Sequence, residues 1–167
     1  ISYDHMDQLG HTLAKIAEEK AGIFKSGVPA VTVPQADEVR KTLIEAANKV
    51  GAPLYFTGKD IEFSYRFESS RVGGPQTRVS LTTANCRFEH LAVPLPGDHQ
   101  AVNCGLALSI MALLKERGIP VDDQKAIEGL AKARLPGRME TIHELPRILV
   151  DGAHNAASVE ALMRAIG

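Results

Sequence analysis

A strand–helix–strand pattern runs through residues 29–56, which have the sequence PAVTVPQADEVRKTLIEAANKVGAPLYF. The β-branched stretch at 29–33 predicts a short strand, and residues 53–56 predict another. A helix is predicted over 36–50, because apolar residues recur at the spacing of one helix face, at Val39, Leu43, Ala46, Ala47 and Val50. Gly51 is a typical helix end. The alternation predicts a parallel α/β layer.

The segments before and after this strand–helix–strand unit have different patterns. Ahead of it, Thr12–Ala21 predicts a helix that Gly22 ends. After it come three alternating or β-branched stretches, at 61–67, 77–83 and 87–93. They predict an antiparallel meander attached to the α/β layer, with a mobile hairpin loop at 69–76.

Helices and a break are predicted in the last third. A turn and a long helix are predicted over 95–118, with Asp98 as the N-cap. The predicted buried stripe of this helix consists of Val102, Leu106, Ile110 and Leu113. A shorter helix is predicted over 122–133. The sequence LPGRM at 135–139 then breaks the helical pattern.

The segment after the break predicts two strands and a helix. The strands are expected at 140–143 and 147–151, and Asn155 is expected to cap a helix with Val159, Leu162, Met163 and Ile166 on one face. We therefore predict one domain over 1–134, a hinge at 135–139, and the beginning of a second domain over 140–167.

Composition excludes several classes of protein. The 167 residues carry a net charge of −1, with both signs mixed along the chain, so no electrostatic feature favours nucleic-acid or membrane-surface binding. No apolar run approaches the roughly 18 residues that a membrane-spanning helix needs. Cys86 and Cys104 have no second pair, and we expect reduced thiols in a cytoplasmic protein.

Lys20 occupies an unexpected position on the first predicted helix. At about 100° per residue, it falls between Leu13, Ile16, Ala17 and Ala21 on the apolar face. It can be a solvated charge with a stem that covers apolar surface. Alternatively, a half-buried amine has a lowered pKa and can add carbon dioxide to form a carbamate, an oxygen ligand suited to Mg²⁺.

Residues 4–29, DHMDQLGHTLAKIAEEKAGIFKSGVP, resemble a signature of the Mur ligase superfamily, in its folylpolyglutamate synthase and dihydrofolate synthase branch. The resemblance implies that His5 binds Mg²⁺ and that Lys20 is the carbamylated lysine, both in catalytic roles. Taken alone, the Asp-His dipeptide also fits an ordinary hydrogen-bonded loop histidine.

Two later stretches resemble the same family. LPGDHQAVNCGLAL, at 95–108, matches its Gly-x-His-Gln-x-x-Asn segment, which implies that Asn103 contacts ATP. LPGRMETI at 135–142 and ILVDGAHNAASVEAL at 148–162 match its hinge and the strand after it. They imply that Arg138 and Asp151 contact the nucleotide and that His154 lies close by. From the residues alone, Asn103 also fits a semi-exposed flank, and Asp151 a turn.

The resemblance implies the C-terminal part of a P-loop-type central domain with an antiparallel β meander, followed by the start of a Rossmann-like C-terminal domain. No G-x-x-x-x-G-K-[ST] loop is present, so we expect an excerpt of a longer protein that is inactive alone.

The implied activity is ATP- and Mg²⁺-dependent ligation of L-glutamate to folate or dihydropteroate by a monomeric enzyme. The alternatives are a UDP-muramoyl-peptide ligase of the same superfamily and a non-catalytic nucleotide-binding fragment.

Overall fold

The computed structural model describes residues 1–70 and 74–166, which fall into two compact units, Ile1–Glu62 and Phe63–Gly167. The predicted α/β class with an antiparallel meander is confirmed. The hinge predicted at 135–139 lies inside the second unit, and its role as a domain boundary stays a prediction.

The first unit contains a parallel strand pair and three helices. Its elements are α1 (Met6–Leu9), α2 (Leu13–Ala21), β1 (Ala30–Thr32), α3 (Asp37–Val50) and β2 (Leu54–Phe56). β1 and β2 are parallel neighbours, with Val31 opposite Tyr55, as the strand–helix–strand pattern predicts. The parallel layer is therefore present in this unit.

Local chemistry sets the ends of these helices. Thr12 caps α2, because its side-chain oxygen accepts a hydrogen bond from the Lys15 N–H at 3.2 Å. α3 ends at Gly51, whose φ of 73° is left-handed and therefore favours glycine. Behind the strands, α2 and α3 form a core cluster of Ala17, Ala21, Val39 and Leu43, flanked by Leu13, Phe24, Ala46 and Leu54.

The second unit begins with a three-stranded sheet. Its elements are β3 (Glu62–Ser70), β4 (Gly74–Thr83), β5 (Cys86–Val93), α4 (Asp98–Glu116), α5 (Asp123–Ala131), β6 (Glu140–Glu144), β7 (Arg147–Val150) and α6 (Ala156–Ile166). The sheet order is β3-β4-β5, and β4 and β5 are antiparallel. β3 and β4 extend into the loop predicted at 69–76, since backbone pairing does not require apolar side chains; residues 71–73 lie outside the described residues.

The buried face of α4 differs from the predicted stripe. Ile110 is 46% exposed, and Val102 and Leu106 are only half-buried. The buried residues are Gln100, Ala101, Cys104, Gly105, Leu108, Ser109, Ala112 and Leu113. Small side chains on this face let the helix approach the sheet closely, which a count of large apolar residues does not detect. The predicted cap is also wrong: Gly97 is the N-cap, and Asp98 is the first residue of the helix.

An ion pair ties α5 to α4 beside a buried thiol. Both carboxylate oxygens of Asp123 accept hydrogen bonds from Lys115 Nζ, at 2.9 and 2.8 Å. The Sγ of Cys86, at the start of β5, lies 3.9 Å from Asp123 Oδ1. Burial, and then the negative charge of Asp123, raises the pKa of the Cys86 thiol above its ordinary value. Cys86 is therefore a protonated structural thiol.

The end of the chain forms a hairpin and a helix. β6 and β7 are antiparallel, with Glu140 opposite Val150, and the Leu145–Pro146 peptide between them is cis. Asn155 caps α6 as predicted, because its Oδ1 accepts from the Ser158 N–H at 2.9 Å. No described residue of α6 is buried. In the part of the chain that the structure describes, no helix is long and apolar enough to cross a membrane.

The close approach of α4 to β3 leads to a stability prediction. A Cβ built at Gly105 would lie 2.5 Å from the Phe63 ring. Gly105→Ala is therefore expected to lower the free energy of unfolding by about 1–3 kcal/mol, the usual cost of overpacking. Gly129→Ala is the control, because it lies in α5 with nothing within 4 Å; it should be neutral or stabilise by up to about 1 kcal/mol. Urea unfolding measures both, and equal stabilities would contradict the packing account.

Candidate functional site

Asp4 and His5 form a small self-bonded unit before α1. His5 is the N-cap of α1 and has a left-handed backbone, with φ of 50°. Its N–H donates to Asp4 Oδ1 at 3.0 Å, and its Nε2 lies 3.7 Å from Asp4 Oδ2. Residues 2–4, just before His5, form no strand within the described chain. A carboxylate and an imidazole nevertheless lie side by side here.

Lys20 does not turn inward as its position on the helical projection predicts. Its neighbours Ile16 and Ala17 are fully buried, but Lys20 is exposed. No ion pair of Lys20 exists within residues 1–70 and 74–166, and an unpaired ammonium is costly to bury. Its long stem lets the charge reach water from the apolar side of the helix. The inward orientation is therefore wrong, and the role of Lys20 as a modified metal ligand stays a prediction.

Lys20 belongs to the same unit as the segment that carries Asp4 and His5.

The donors in this segment fit Mg²⁺ only in part. The carboxylate of Asp4 is a hard oxygen donor of the kind that Mg²⁺ prefers, and the imidazole of His5 can act as an additional ligand. An unmodified Lys20 would repel a cation, whereas a carbamate on its Nζ would supply two more oxygens. The fit of this segment to Mg²⁺ therefore depends on modification of Lys20.

Asn103 lies in the second turn of α4, on the exposed side. Its Nδ2 donates a hydrogen bond to Gln100 Oε1 at 3.2 Å, and Gln100 is only 3% exposed. Gln100 therefore orients the amide of Asn103, which is an exposed residue. The three-residue spacing of two amides on one helix is the sequence signal that could have revealed this partnership.

The clearest constellation ties the predicted hinge to the end of β7. Asp151 Oδ2 accepts a hydrogen bond from the Met139 N–H at 2.9 Å, and its Oδ1 accepts from the Ala153 N–H at 2.8 Å. The Gly152 N–H donates to the Gly137 carbonyl at 2.8 Å. These bonds define a clamp, comprising residues 137–139 and 151–153. Asp151 is therefore a structural tie, whatever else it contacts.

Glu140 completes the clamp from the hinge side. Its Oε2 accepts a hydrogen bond from the Gly137 N–H at 2.7 Å, and the neighbouring Met139 has a left-handed φ of 50°. A non-glycine residue in that region is strained, so the surrounding hydrogen bonds must hold it there. Glu140 and Gly152 are parts of the site that the motif analysis did not select.

His154 lies beside the same clamp. Its Nδ1 is 2.8 Å from the Gly152 carbonyl, and its backbone N–H donates to Ser158 Oγ at 3.1 Å. Because a carbonyl oxygen only accepts, Nδ1 carries the proton in this contact. In the neutral ring, the lone pair is then on Nε2.

A cleft of about 610 Å³ opens next to the clamp. Three cationic residues line it: Lys132, Arg134 and Arg138. None of the three forms an ion pair with a described residue. The remaining lining is mostly apolar: Pro94, Leu95, Pro96, Ala131, Ala133, Leu135, Pro136 and Met139, with Glu140 and Thr141. The cleft therefore combines an apolar lining with unpaired positive charge, a composition that suits a ligand with an apolar part and anionic groups.

The structure brings together three of the predicted site residues. Arg138, Asp151 and His154 all lie around Gly152. Among the described residues, Asn103 bonds Gln100 and none of this group. His5 and Lys20 belong to the first unit. The roles of all six residues toward a ligand stay predictions.

Comparison with known proteins places this chain in a family. The model of the Mur ligase middle domain matches residues 1–111. A dihydrofolate synthase/folylpolyglutamate synthase of Bacillus subtilis (strain 168) is 37% identical over 97% of the chain. A folylpolyglutamate synthase of Lacticaseibacillus casei is 33% identical over 99% of it. The chain spans 37% and 38% of the length of these two relatives.

Solved structures show the same likeness in three dimensions. An FPGS complex with AMPPCP and folate superposes with a TM-score of 0.87 at 30% identity, covering 99% of this chain and 40% of that one. Mycobacterium tuberculosis folylpolyglutamate synthase complexed with ADP gives a TM-score of 0.81 at 32% identity, with 99% and 37% coverage. The likeness includes both units.

The two backbone hydrogen bonds of Asp151 can be tested directly. Asp151→Ala removes both acceptors, so amide hydrogen exchange at Met139 and Ala153 should accelerate about tenfold, corresponding to roughly 1–2 kcal/mol of lost protection. The control is Glu160→Ala, an exposed acid on α6 that pairs with Arg164 at 3.8 Å and should leave both amides unchanged. Unaltered exchange in Asp151→Ala would show that the carboxylate does not hold the clamp.

Proposed function

Because the chain belongs to the Mur ligase middle-domain family, we propose that the whole protein is an ATP-dependent amide ligase that adds L-glutamate to a folate or dihydropteroate carboxylate. The observation that carries the proposal is the match to a dihydrofolate synthase/folylpolyglutamate synthase over 97% of the chain at 37% identity. That match covers both the first unit and the clamp, which supports assigning their candidate residues to one reaction.

The proposed reaction has two steps. A carboxylate oxygen of the folate or dihydropteroate attacks the γ-phosphorus of ATP, the bond to ADP breaks, and an acyl phosphate forms. The amine of L-glutamate then attacks the acyl carbon, phosphate leaves, and the nitrogen loses a proton. Both steps bring several anionic groups into a small volume, which makes cationic side chains the main requirement of the site.

Four residues of the second unit are assigned to the nucleotide. Arg138 presents a fork of N–H donors that matches phosphate oxygens, and it lines the cationic cleft. The Asn103 amide, oriented by Gln100, offers a donor and an acceptor to an adenine edge. Asp151 and His154 border the nucleotide from the clamp, with Nε2 of His154 as the ring atom that carries the lone pair.

We assign the metal site to the first unit. We place Mg²⁺ between His5 and a carbamate on Lys20, with Asp4 as an added oxygen donor. The carbamate forms when the neutral amine adds carbon dioxide and releases a proton. When bound, the metal neutralises charge on the phosphates and the carboxylate. We also place the protein in the cytoplasm, which its two free, buried thiols support.

A substrate panel tests the proposed reaction. The full-length protein, given Mg-ATP and L-glutamate, should release phosphate with dihydropteroate or folate and remain inactive with UDP-linked muramoyl peptides and their amino acids. The alternative ligase predicts the reverse, and its support is that the matching family model is the Mur ligase middle domain. Phosphate release with neither set, despite correct folding, would favour a non-catalytic nucleotide-binding protein.

Lys20 offers a second test, because its role depends on modification. Lys20→Ala in the full-length protein should lower turnover at least about a hundredfold, since a bound cation loses a charged ligand. Small carboxylic acids should restore part of the activity by occupying the place of the carbamate. Lys15→Ala is the matched control, being another exposed lysine of α2, and should keep turnover within about twofold. Full activity of Lys20→Ala would refute the metal assignment.

A further inference from the structure

Gly152 lies directly against the guanidinium of Arg138. A Cβ built on Gly152 would be 2.7 Å from Arg138 Nη1 and 3.4 Å from its Cζ. Carbon atoms of this type do not approach other heavy atoms within 3.0 Å in folded proteins. Any side chain at position 152 would therefore push the guanidinium away from the place it occupies.

The backbone does not require glycine at this position. The φ of Gly152 lies outside the left-handed region, in contrast to Gly137, whose φ is 67°. Sequence analysis alone would attribute a glycine after a strand to a tight turn. Here the backbone accommodates an L-residue, and among the described residues its Cβ conflicts closely with Arg138 alone.

The clamp fixes the two backbones relative to each other. The Gly152 N–H bonds the Gly137 carbonyl at 2.8 Å, and Asp151 bonds the N–H of Met139 at 2.9 Å. The Cα of Arg138 lies between these two attachments. A side chain at position 152 thus could not be accommodated by separating the chains, and the guanidinium itself would have to move.

The guanidinium is also available for a ligand. Arg138 forms no ion pair with the described residues, and it lines the cleft with Lys132 and Arg134. Asp151 lies nearby, but both of its oxygens accept backbone N–H groups. The fork of Arg138 therefore keeps its donors for an external anion.

We propose that Gly152 is a positioning residue, whose missing side chain seats the Arg138 guanidinium against the end of β7 and so sets the affinity for the anionic nucleotide. The inference rests on the proposed function, because that function supplies the nucleotide. Gly152 itself need not touch the ligand.

A double-mutant cycle tests the inference in the full-length protein. Calorimetry measures the Kd for Mg²⁺ with AMPPCP in the parent, Gly152→Ala, Arg138→Ala and the double variant. Arg138→Ala should weaken binding about tenfold to a hundredfold, as for a lost charged hydrogen bond. Gly152→Ala should weaken binding about tenfold, and the double variant should bind no more weakly than Arg138→Ala. Gly129→Ala should leave the Kd unchanged.

The outcomes separate the inference from the proposed function. Parental affinity in Gly152→Ala, or losses that multiply in the double variant, would overturn the positioning role and leave Arg138 as a nucleotide ligand. Parental affinity in Arg138→Ala would overturn its nucleotide assignment, and the role of Gly152 with it. Should Gly152→Ala lower the melting temperature, Arg138→Ala in the same chain must restore it, because it removes the crowding; no restoration would also overturn the inference.

Discussion

The site in the second unit depends on one carboxylate that bridges two backbone segments. Asp151 follows β7 directly, and its oxygens accept N–H groups from Met139 and from Ala153, at 2.9 and 2.8 Å. One contact reaches across to the segment before β6, and the other closes the turn before α6. Hydrogen bonds to an ionised acceptor are stronger than neutral ones, so a single side chain can hold both segments in place. The positions of Arg138 and His154 follow from this arrangement.

The fold was predictable where the spacing of apolar residues and the sizes of their side chains select the same buried face. The strand–helix–strand unit from β1 to β2 is an example, because α3 buries Val39, Leu43 and Ala47 at the spacing that its sequence shows. α4 shows the opposite case. Its large apolar residues lie all around the helix, and close packing against Phe63 selects the face that carries Gly105. That choice depends on the shape of the partner, which periodicity does not contain.

The candidate site, too, was predictable where the signal lies in a local motif and not where it depends on contacts in the folded chain. The resemblance of two motifs to the family selected Arg138, Asp151 and His154, and the structure does bring them around one glycine. The helical projection of α2 predicted the wrong orientation for Lys20. Such a projection treats every side chain as equally long and ignores the cost of burying an unpaired ammonium. Gln100 and Glu140 were missed since each acts on a neighbour, Asn103 and Gly137 respectively, and not as a motif of its own.

Electrostatics explains how the Asp151 carboxylate and the Arg138 guanidinium can have different roles although they lie near each other. An Asp and an Arg near each other would ordinarily pair, which would neutralise both. At this clamp, backbone N–H groups already satisfy the Asp151 oxygens, and Gly152 leaves the Arg138 guanidinium room beside the strand end. The negative charge is thus stabilised by peptide dipoles, while the positive charge remains unpaired at the cleft with Lys132 and Arg134. The cleft attracts anions because the carboxylate of Asp151 near it is occupied by backbone N–H groups and does not neutralise Arg138.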